Sequence, residues 1–120
     1  MKWLTCVVFL CLLSCESDPI HQNPYLNNLP PFEFELSLDL PLYGGLRFVG
    51  GSITIDQLGV KGVHLYNLDG YQVLAWEASC PNQRPSDCSK TTINDIIVEC
   101  SCDGSTYSLV TGQPLTDGVE

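Results

Sequence analysis

Hydrophobic and polar residues alternate strictly in one long segment near the start of the chain, residues 32–40. Every second position there is Phe or Leu, and the intervening positions are polar. A period of two residues is typical of a β-strand with one buried face. The pattern therefore predicts a half-buried strand, whose acidic residues, Glu33, Glu35 and Asp39, form a solvated face rather than a carboxylate pair for acid–base chemistry.

Further short apolar runs separated by turn residues follow this segment. Residues 46–49 and 53–55 flank Gly50-Gly51, which predicts a second strand with a kink. Residues 63–66 and 72–77 flank Asn67-Leu68-Asp69-Gly70, a strong hairpin signal. Two more strands are predicted at residues 96–100 and 107–110, the latter running into a turn at residues 111–114. No segment of useful length has a helical period, so the prediction is a small all-β sandwich or barrel.

Three side chains in the predicted hairpin are candidates for function or for the core. Tyr66 and Trp76 occupy strand positions where aromatic residues usually pack inside the protein. His64 lies between two apolar neighbours, so we expect it to face solvent or to cap a sheet edge rather than to act as a base. Neither Ser101 nor Ser105 has a histidine at a catalytic spacing. An independent enzyme is therefore not expected.

The first residues have the pattern of an export signal. Lys2 precedes eleven mostly apolar residues, 3–13, too few for a bilayer span of about 20 but suited to a signal peptide. The run ends in Leu12-Leu13-Ser14-Cys15, which resembles the lipobox of bacterial lipoproteins. This resemblance implies a signal peptide at residues 1–14, a lipid on Cys15 and a location in the bacterial cell envelope, facing the periplasm or the surface. An ordinary secretory signal is the alternative.

Composition restricts the partners and the compartment. Residues 15–31 are rich in proline and asparagine and are predicted to form an extended linker, which leaves residues 32–120 as one domain. Fourteen acidic residues against five basic ones give a formal charge of −9, which excludes nucleic acids and anionic lipid surfaces as partners. Seven cysteines behind an export signal indicate an oxidising compartment and disulfides. Cys6 and Cys11 would leave with the signal peptide.

The domain cysteines lie in two short motifs. Cys80-Pro81-Asn82 is separated by seventeen residues from Cys100-Ser101-Cys102-Asp103-Gly104-Ser105. Together with the preceding hairpin and the later Tyr107-x-x-x-Thr-Gly-x-Pro, these motifs resemble the cluster-binding loops of Rieske iron–sulfur domains. The resemblance covers about residues 46–114. It implies a Rieske-like antiparallel fold with two loops at the cluster position.

Two of the four ligand positions depart from the Rieske pattern. The family holds one iron with two cysteines and the other with two histidines. The resemblance places Cys80, Asn82, Cys100 and Asp103 at these positions, so both histidines are replaced. His21 lies in the linker and His64 lies before both loops, so neither readily replaces them. The resemblance therefore implies a degenerate domain without a standard cluster.

The same resemblance suggests how the four domain cysteines are used. Many family members have a disulfide that clamps the two loops, which implies a bond between Cys88 and Cys102. Without iron, Cys80 and Cys100 would face each other and could form a second disulfide. Three alternatives stay open: a [2Fe–2S] cluster in an altered ligand set, a cluster or zinc ion held by all four thiolates, and a thiol–disulfide redox partner using Cys80 and Cys100.

The residues after the turn at 111–114 determine how the edge of the predicted sheet is closed. Rieske domains usually continue past the turn at residues 111–114 into a closing strand. Here, either that strand is missing and leaves an open sheet edge for a protein partner, or another element or chain covers the edge. The function expected from the sequence is a membrane-anchored structural or interaction module without a cofactor other than its lipid. An electron-transfer protein with a [2Fe–2S] cluster is the alternative.

Overall fold

Six short strands and one 3₁₀ helix make up the regular structure of the described residues. The computed structural model describes residues 23–26 and 30–118, so Cys15, His21 and the predicted signal peptide lie outside the described residues. The elements are the 3₁₀ helix Pro41–Arg47, β1 Ser52–Ile55, β2 Val63–Asn67, β3 Val73–Glu77, β4 Thr91–Asn94, β5 Ile97–Cys100 and β6 Thr106–Ser108. They form two antiparallel sheets, β1-β2-β3 and β4-β5-β6. The all-β prediction is confirmed. Within the described residues, the strands form two facing sheets and no closed barrel.

The predicted hairpin is formed by β2 and β3. The carboxylate of Asp69 accepts hydrogen bonds from the backbone N–H groups of Tyr71 and Gln72, at 2.9 and 2.7 Å. The side-chain oxygen of Asn67 accepts another from the N–H of Gly70 at 2.7 Å. Gly70 has a φ of +91°, a backbone conformation that favours glycine. These side chains accept the hydrogen bonds of the turn's backbone N–H groups and fix the register that aligns His64 with Trp76.

The second sheet contains one strand that the sequence pattern did not predict. β4 pairs with β5 through a tight turn in which Asp95 has a φ of +60°, a conformation that Asp tolerates better than most residues. β5 then pairs with β6, which confirms the predicted strand at residues 96–100 in shortened form. The strand predicted at residues 107–110 is shifted, because β6 begins at Thr106 and ends at Ser108. β4 was missed because four residues are too few to establish a period of two.

The core lies between the two sheets. Tyr66 from β2 packs with Val98, Tyr107 and Leu109 from the second sheet, and the half-buried Trp76 packs against this cluster. The indole N–H of Trp76 donates to the carbonyl oxygen of Leu109 at 2.8 Å. Both aromatic residues of the hairpin therefore face the core, as predicted. Burial of these large side chains is the main favourable contribution to the association of the two sheets.

The prediction for His64 is wrong. The residue is 1% exposed and lies between the sheets. Its Nδ1 is 2.8 Å from the hydroxyl of Thr54, and its Nε2 is 2.8 Å from the hydroxyl of Thr91 on β4. Alternation along β2 does not show which face is more deeply buried, because both faces of this central strand are covered. His64 is thus a polar link across the core.

The predicted strand at residues 32–40 is also wrong. Residues 30–37 belong to no strand, and residues 38–40 form a turn that leads into the 3₁₀ helix. The apolar side chains of residues 32–38 instead line a groove on the outer face of the first sheet, together with residues such as Leu65, Val73 and Ala75. Phe32 remains 52% exposed and Phe34 45%, so the cover is incomplete. Alternation here reflects an extended segment lying across a sheet, which has the same period as a paired strand.

The predicted strand at residues 46–49 is replaced by the end of the 3₁₀ helix and a turn. Pro41 occupies the first turn of the helix, where its missing N–H costs nothing. At Gly51, any side chain would collide with the carbonyl oxygen of Gly45. This close approach of the backbone requires glycine at position 51, and only the predicted part at residues 53–55 becomes a strand, within β1.

The edge of the second sheet is covered by the chain itself. Residues 113–116 return along β6, where the N–H of Ser108 donates to Gln113 and that of Leu115 donates to Thr106. Tyr107 and Pro114 form a bridge. Of the two alternatives for this edge, the structure shows the second at β6, where another element of the chain covers it. A return segment containing a proline does not have the pattern of a strand, which is why the sequence did not reveal it.

Candidate functional site

Two loops meet at the end of the molecule opposite the β2–β3 turn. The first connects β3 to β4, and the second connects β5 to β6. Ser79 and Lys90 form a bridge at the base of the first loop, and the N–H of Cys80 donates to Ser89 at 2.6 Å. The second loop is a tight turn in which the N–H of Cys100 donates to Ser105 at 2.8 Å. These backbone hydrogen bonds therefore fix the base of each loop.

Two disulfides join these loops. Cys80 pairs with Cys100, and Cys88 pairs with Cys102, with Cα–Cα distances of 5.6 and 5.0 Å. Both predicted pairings are thus present. Cys80 and Cys100 are 0% exposed, whereas Cys88 lies at the surface. The inner bond therefore belongs to the core, and the outer bond closes the loop end.

Asn82 and Asp103, which the sequence predicts at the two remaining ligand positions, contact each other directly. The side-chain amide of Asn82 donates to Oδ2 of Asp103 at 2.8 Å. Oδ1 of Asp103 accepts from the backbone N–H of Ser105 at 2.9 Å. These two bonds, the one from Ser105 first, hold the pKa of Asp103 below its usual value. The pair is thus an ionised carboxylate held by an amide across the two loops.

This donor set does not fit a Rieske cluster. A cluster needs thiolates, and the sulfurs of Cys80 and Cys100 are bonded to each other. It also needs two neutral imidazoles, where the chain supplies an amide and a carboxylate bonded to each other. Gln83 adds a further contact, from its amide nitrogen to the sulfur of Cys100 at 3.3 Å. The four-thiolate alternative would need the same four sulfurs as free thiolates, and in this structure they form two disulfides.

Glu77 is a residue of this region that the sequence analysis did not select. Its Oε1 accepts from the N–H groups of Lys61 and Ser79 at 2.9 and 3.1 Å, and Oε2 accepts from the N–H of Val60 at 2.9 Å. The carboxylate thereby fixes the β1–β2 connection against the base of the first loop. The only signal in the sequence was its place at the end of β3, directly before the cysteine motif.

Comparison with family models, with curated proteins and with solved structures gives no match. Within residues 23–26 and 30–118, no helix has both the length and the apolar character needed to cross a membrane. A function is therefore inferred from the chemistry of the two loops.

Proposed function

We propose that the chain is a lipid-anchored module of the bacterial cell envelope, with a Rieske-like β domain that works as a structural or interaction unit without a cluster. The observation that carries this proposal is the hydrogen bond between Asn82 and Asp103, beside the disulfide between Cys80 and Cys100. All four residues at the expected ligand positions are then bonded to one another in pairs. The loops are held together by protein bonds where the family uses iron.

A rigid loop end is the physical consequence of this arrangement. Two disulfides restrict the separation of the loops, and the side-chain amide of Asn82 donates a charge-assisted hydrogen bond to Asp103 between them. A preformed surface loses little conformational entropy when a partner binds. This favours recognition by a protein partner over catalysis, for which the loops supply no base beside a nucleophile.

A thiol–disulfide exchange function is less well supported. Exchange needs a thiolate to reach a sulfur, and the bond between Cys80 and Cys100, the pair predicted for this chemistry, is fully buried. Electron transfer through an altered cluster remains an outcome of the test below. No described contact favours it.

The decisive experiment is a combined iron, acid-labile sulfide and free-thiol count on protein isolated natively from the envelope. We expect substoichiometric iron and sulfide, no visible bands and no free thiol among the four domain cysteines. Stoichiometric iron and sulfide without reconstitution would overturn the proposal in favour of electron transfer.

The lipid anchor has its own test. Cys15→Ala should move the protein from the membrane fraction to the soluble fraction, and membrane retention of this variant in high salt would contradict the lipid anchor.

A second variant tests the Rieske-like geometry of the loops. After reduction and anaerobic reconstitution, Asn82→His with Asp103→His should acquire a cluster with two imidazole ligands, whereas the parent chain should not. Gln57→His with Asp117→His is the matched control, because it adds two imidazoles at exposed positions of other segments. Equal iron uptake by both double variants would mean that the loops do not have this geometry.

A further inference from the structure

A cavity of about 410 Å³ lies between the two sheets, beside the base of the first loop. Its walls include apolar side chains from both sheets, among them Trp76, Val98 and Leu109. The volume is in the range of sites for small molecules, about 300 to 1,000 Å³. A cavity of about 150 Å³ holds one benzene ring, so this one has room for a fused two-ring molecule.

Two buried hydroxyl groups on the cavity wall lack hydrogen-bond partners. Tyr107 is 6% exposed and Ser79 is 2% exposed, and both residues line the cavity. Neither hydroxyl makes a hydrogen bond of good geometry to a described residue. Burial raises the pKa of Tyr107, and the Ser105 side chain lies close enough to its hydroxyl to oppose this effect. A buried hydroxyl without a partner is unfavourable, and most buried polar groups in proteins have one. A polar group inside the cavity would supply that partner to one or both.

The charged and titratable groups on the wall are already engaged. Glu77 accepts three backbone hydrogen bonds, and His64 is bonded through both ring nitrogens. A ligand's charge would therefore find no counter-charge free to receive it. Each hydroxyl can both donate and accept, which suits a neutral group such as a hydroxyl or a carbonyl.

We infer that the cavity binds a compact, mostly apolar and uncharged molecule, whose single hydroxyl or carbonyl group bonds to the hydroxyl of Ser79 or of Tyr107. This binding site goes beyond the structural role proposed above. The turn at residues 23–26 forms one wall, because Asn23 and Leu26 line the cavity and the amide of Asn23 donates to the carbonyl oxygen of Pro81 at 2.9 Å. The segment that precedes the domain is thereby part of the site.

The test uses 2-naphthol as the probe and the full chain labelled with ¹⁵N. Trp76 lines the cavity, so the signal of its indole N–H should shift saturably as 2-naphthol is added. Tyr107→Phe and Ser79→Ala each remove one hydroxyl and little volume. Since one neutral hydrogen bond is lost, at least one of these variants should bind the probe about threefold to tenfold more weakly.

Tyr71→Phe is the matched control, because Tyr71 is 99% exposed and does not line the cavity. It should bind the probe as tightly as the parent chain. Tyr107→Phe removes only an unpartnered hydroxyl, so it should fold, which its melting curve would verify. Failure of 2-naphthol to shift the Trp76 signal at millimolar concentration, or equal affinity in all three variants and the parent, would overturn the inference.

Discussion

At the scale of single residues, buried polar side chains determine how the pieces of this small domain fit together. The hydroxyl of Thr91 donates to the carbonyl oxygen of Ala78 at 2.9 Å, so its oxygen accepts from Nε2–H of His64. This assigns the neutral Nε2–H tautomer and leaves Nδ1 to accept from Thr54. His64 thereby links β1, β2 and β4 across both sheets.

The stability of the domain should depend on pH through His64. Burial, followed by repulsion from Lys90, lowers its pKa below the usual 6.5, and the opposing effects of the Thr91 backbone, Glu77 and Asp56 are smaller. The unfolded chain therefore binds the proton more tightly, so stability should be full above pH 6.5 and should fall as the pH drops through 6.5 toward the lower folded-state value. Chemical denaturation between pH 7.5 and 5 measures this loss.

His64→Gln is the control for this effect. Its stability should be nearly independent of pH in the same window, because the lowered carboxyl pKa values of Asp69 and Asp103 affect stability only below about pH 4. Parallel pH profiles for the parent and His64→Gln would contradict the assignment.

Glu77 gives a second prediction at this scale. Glu77→Gln keeps the size of the side chain but replaces one of two acceptor oxygens with a donor, which faces backbone N–H groups. We expect a loss of about 1 to 3 kcal/mol in the free energy of unfolding, since a half-buried donor is left without a partner. Glu99→Gln, at an exposed position of β5, should change the stability by less than about 0.5 kcal/mol in the same urea titration.

At the scale of elements, the sequence predicts strands well where turn chemistry is local. The β2–β3 hairpin is predictable because the hydrogen bonds that form its turn come from residues within the turn, Asn67, Asp69 and Gly70. Residues 32–40 fail because alternation records only that one side of an extended segment is apolar. It does not distinguish pairing with a neighbouring strand from packing across a sheet. Such a difference depends on tertiary contacts, which no local pattern contains.

The return of residues 113–116 along β6 leads to a prediction for that element. The hydroxyl of Thr116 accepts from the backbone N–H of Thr106 at 2.8 Å. Thr116→Val removes this acceptor with little change in volume, so hydrogen exchange at Thr106 and Leu115 should become several-fold faster. Thr92→Val on β4, where the side chain is exposed, should leave both rates unchanged. Unchanged rates in Thr116→Val would show that the hydroxyl does not hold the return segment.

At the scale of the whole molecule, the loops illustrate what motif spacing can and cannot predict. The resemblance of the cysteine motifs to Rieske loops implied both disulfides, and the residue types at Asn82 and Asp103 argued against imidazole chemistry before any geometry was known. The direct bond between Asn82 and Asp103 was not predictable, because it depends on how closely the disulfides bring the loops together. The cavity between the sheets was equally hidden, since its lining comes from segments far apart in the chain.

The two disulfides should contribute unequally to the stability of the molecule. Cys88 and Cys102 are 14 residues apart and Cys80 and Cys100 are 20 apart. By chain entropy alone, both bonds are worth about 3 kcal/mol, and the longer loop adds only about 0.3 kcal/mol. The inner pair is fully buried, however, so replacing it with serines also leaves polar hydroxyls in the core.

Cys80→Ser with Cys100→Ser should therefore lower the melting temperature clearly more than Cys88→Ser with Cys102→Ser. The outer double variant should lose about 2 to 5 kcal/mol, a large share of the roughly 5 to 15 kcal/mol of a typical domain, and each kcal/mol corresponds to about 4 to 8 °C. Calorimetry under non-reducing conditions measures both losses. Equal losses would mean that loop closure, and not burial, accounts for the whole contribution of the inner bond.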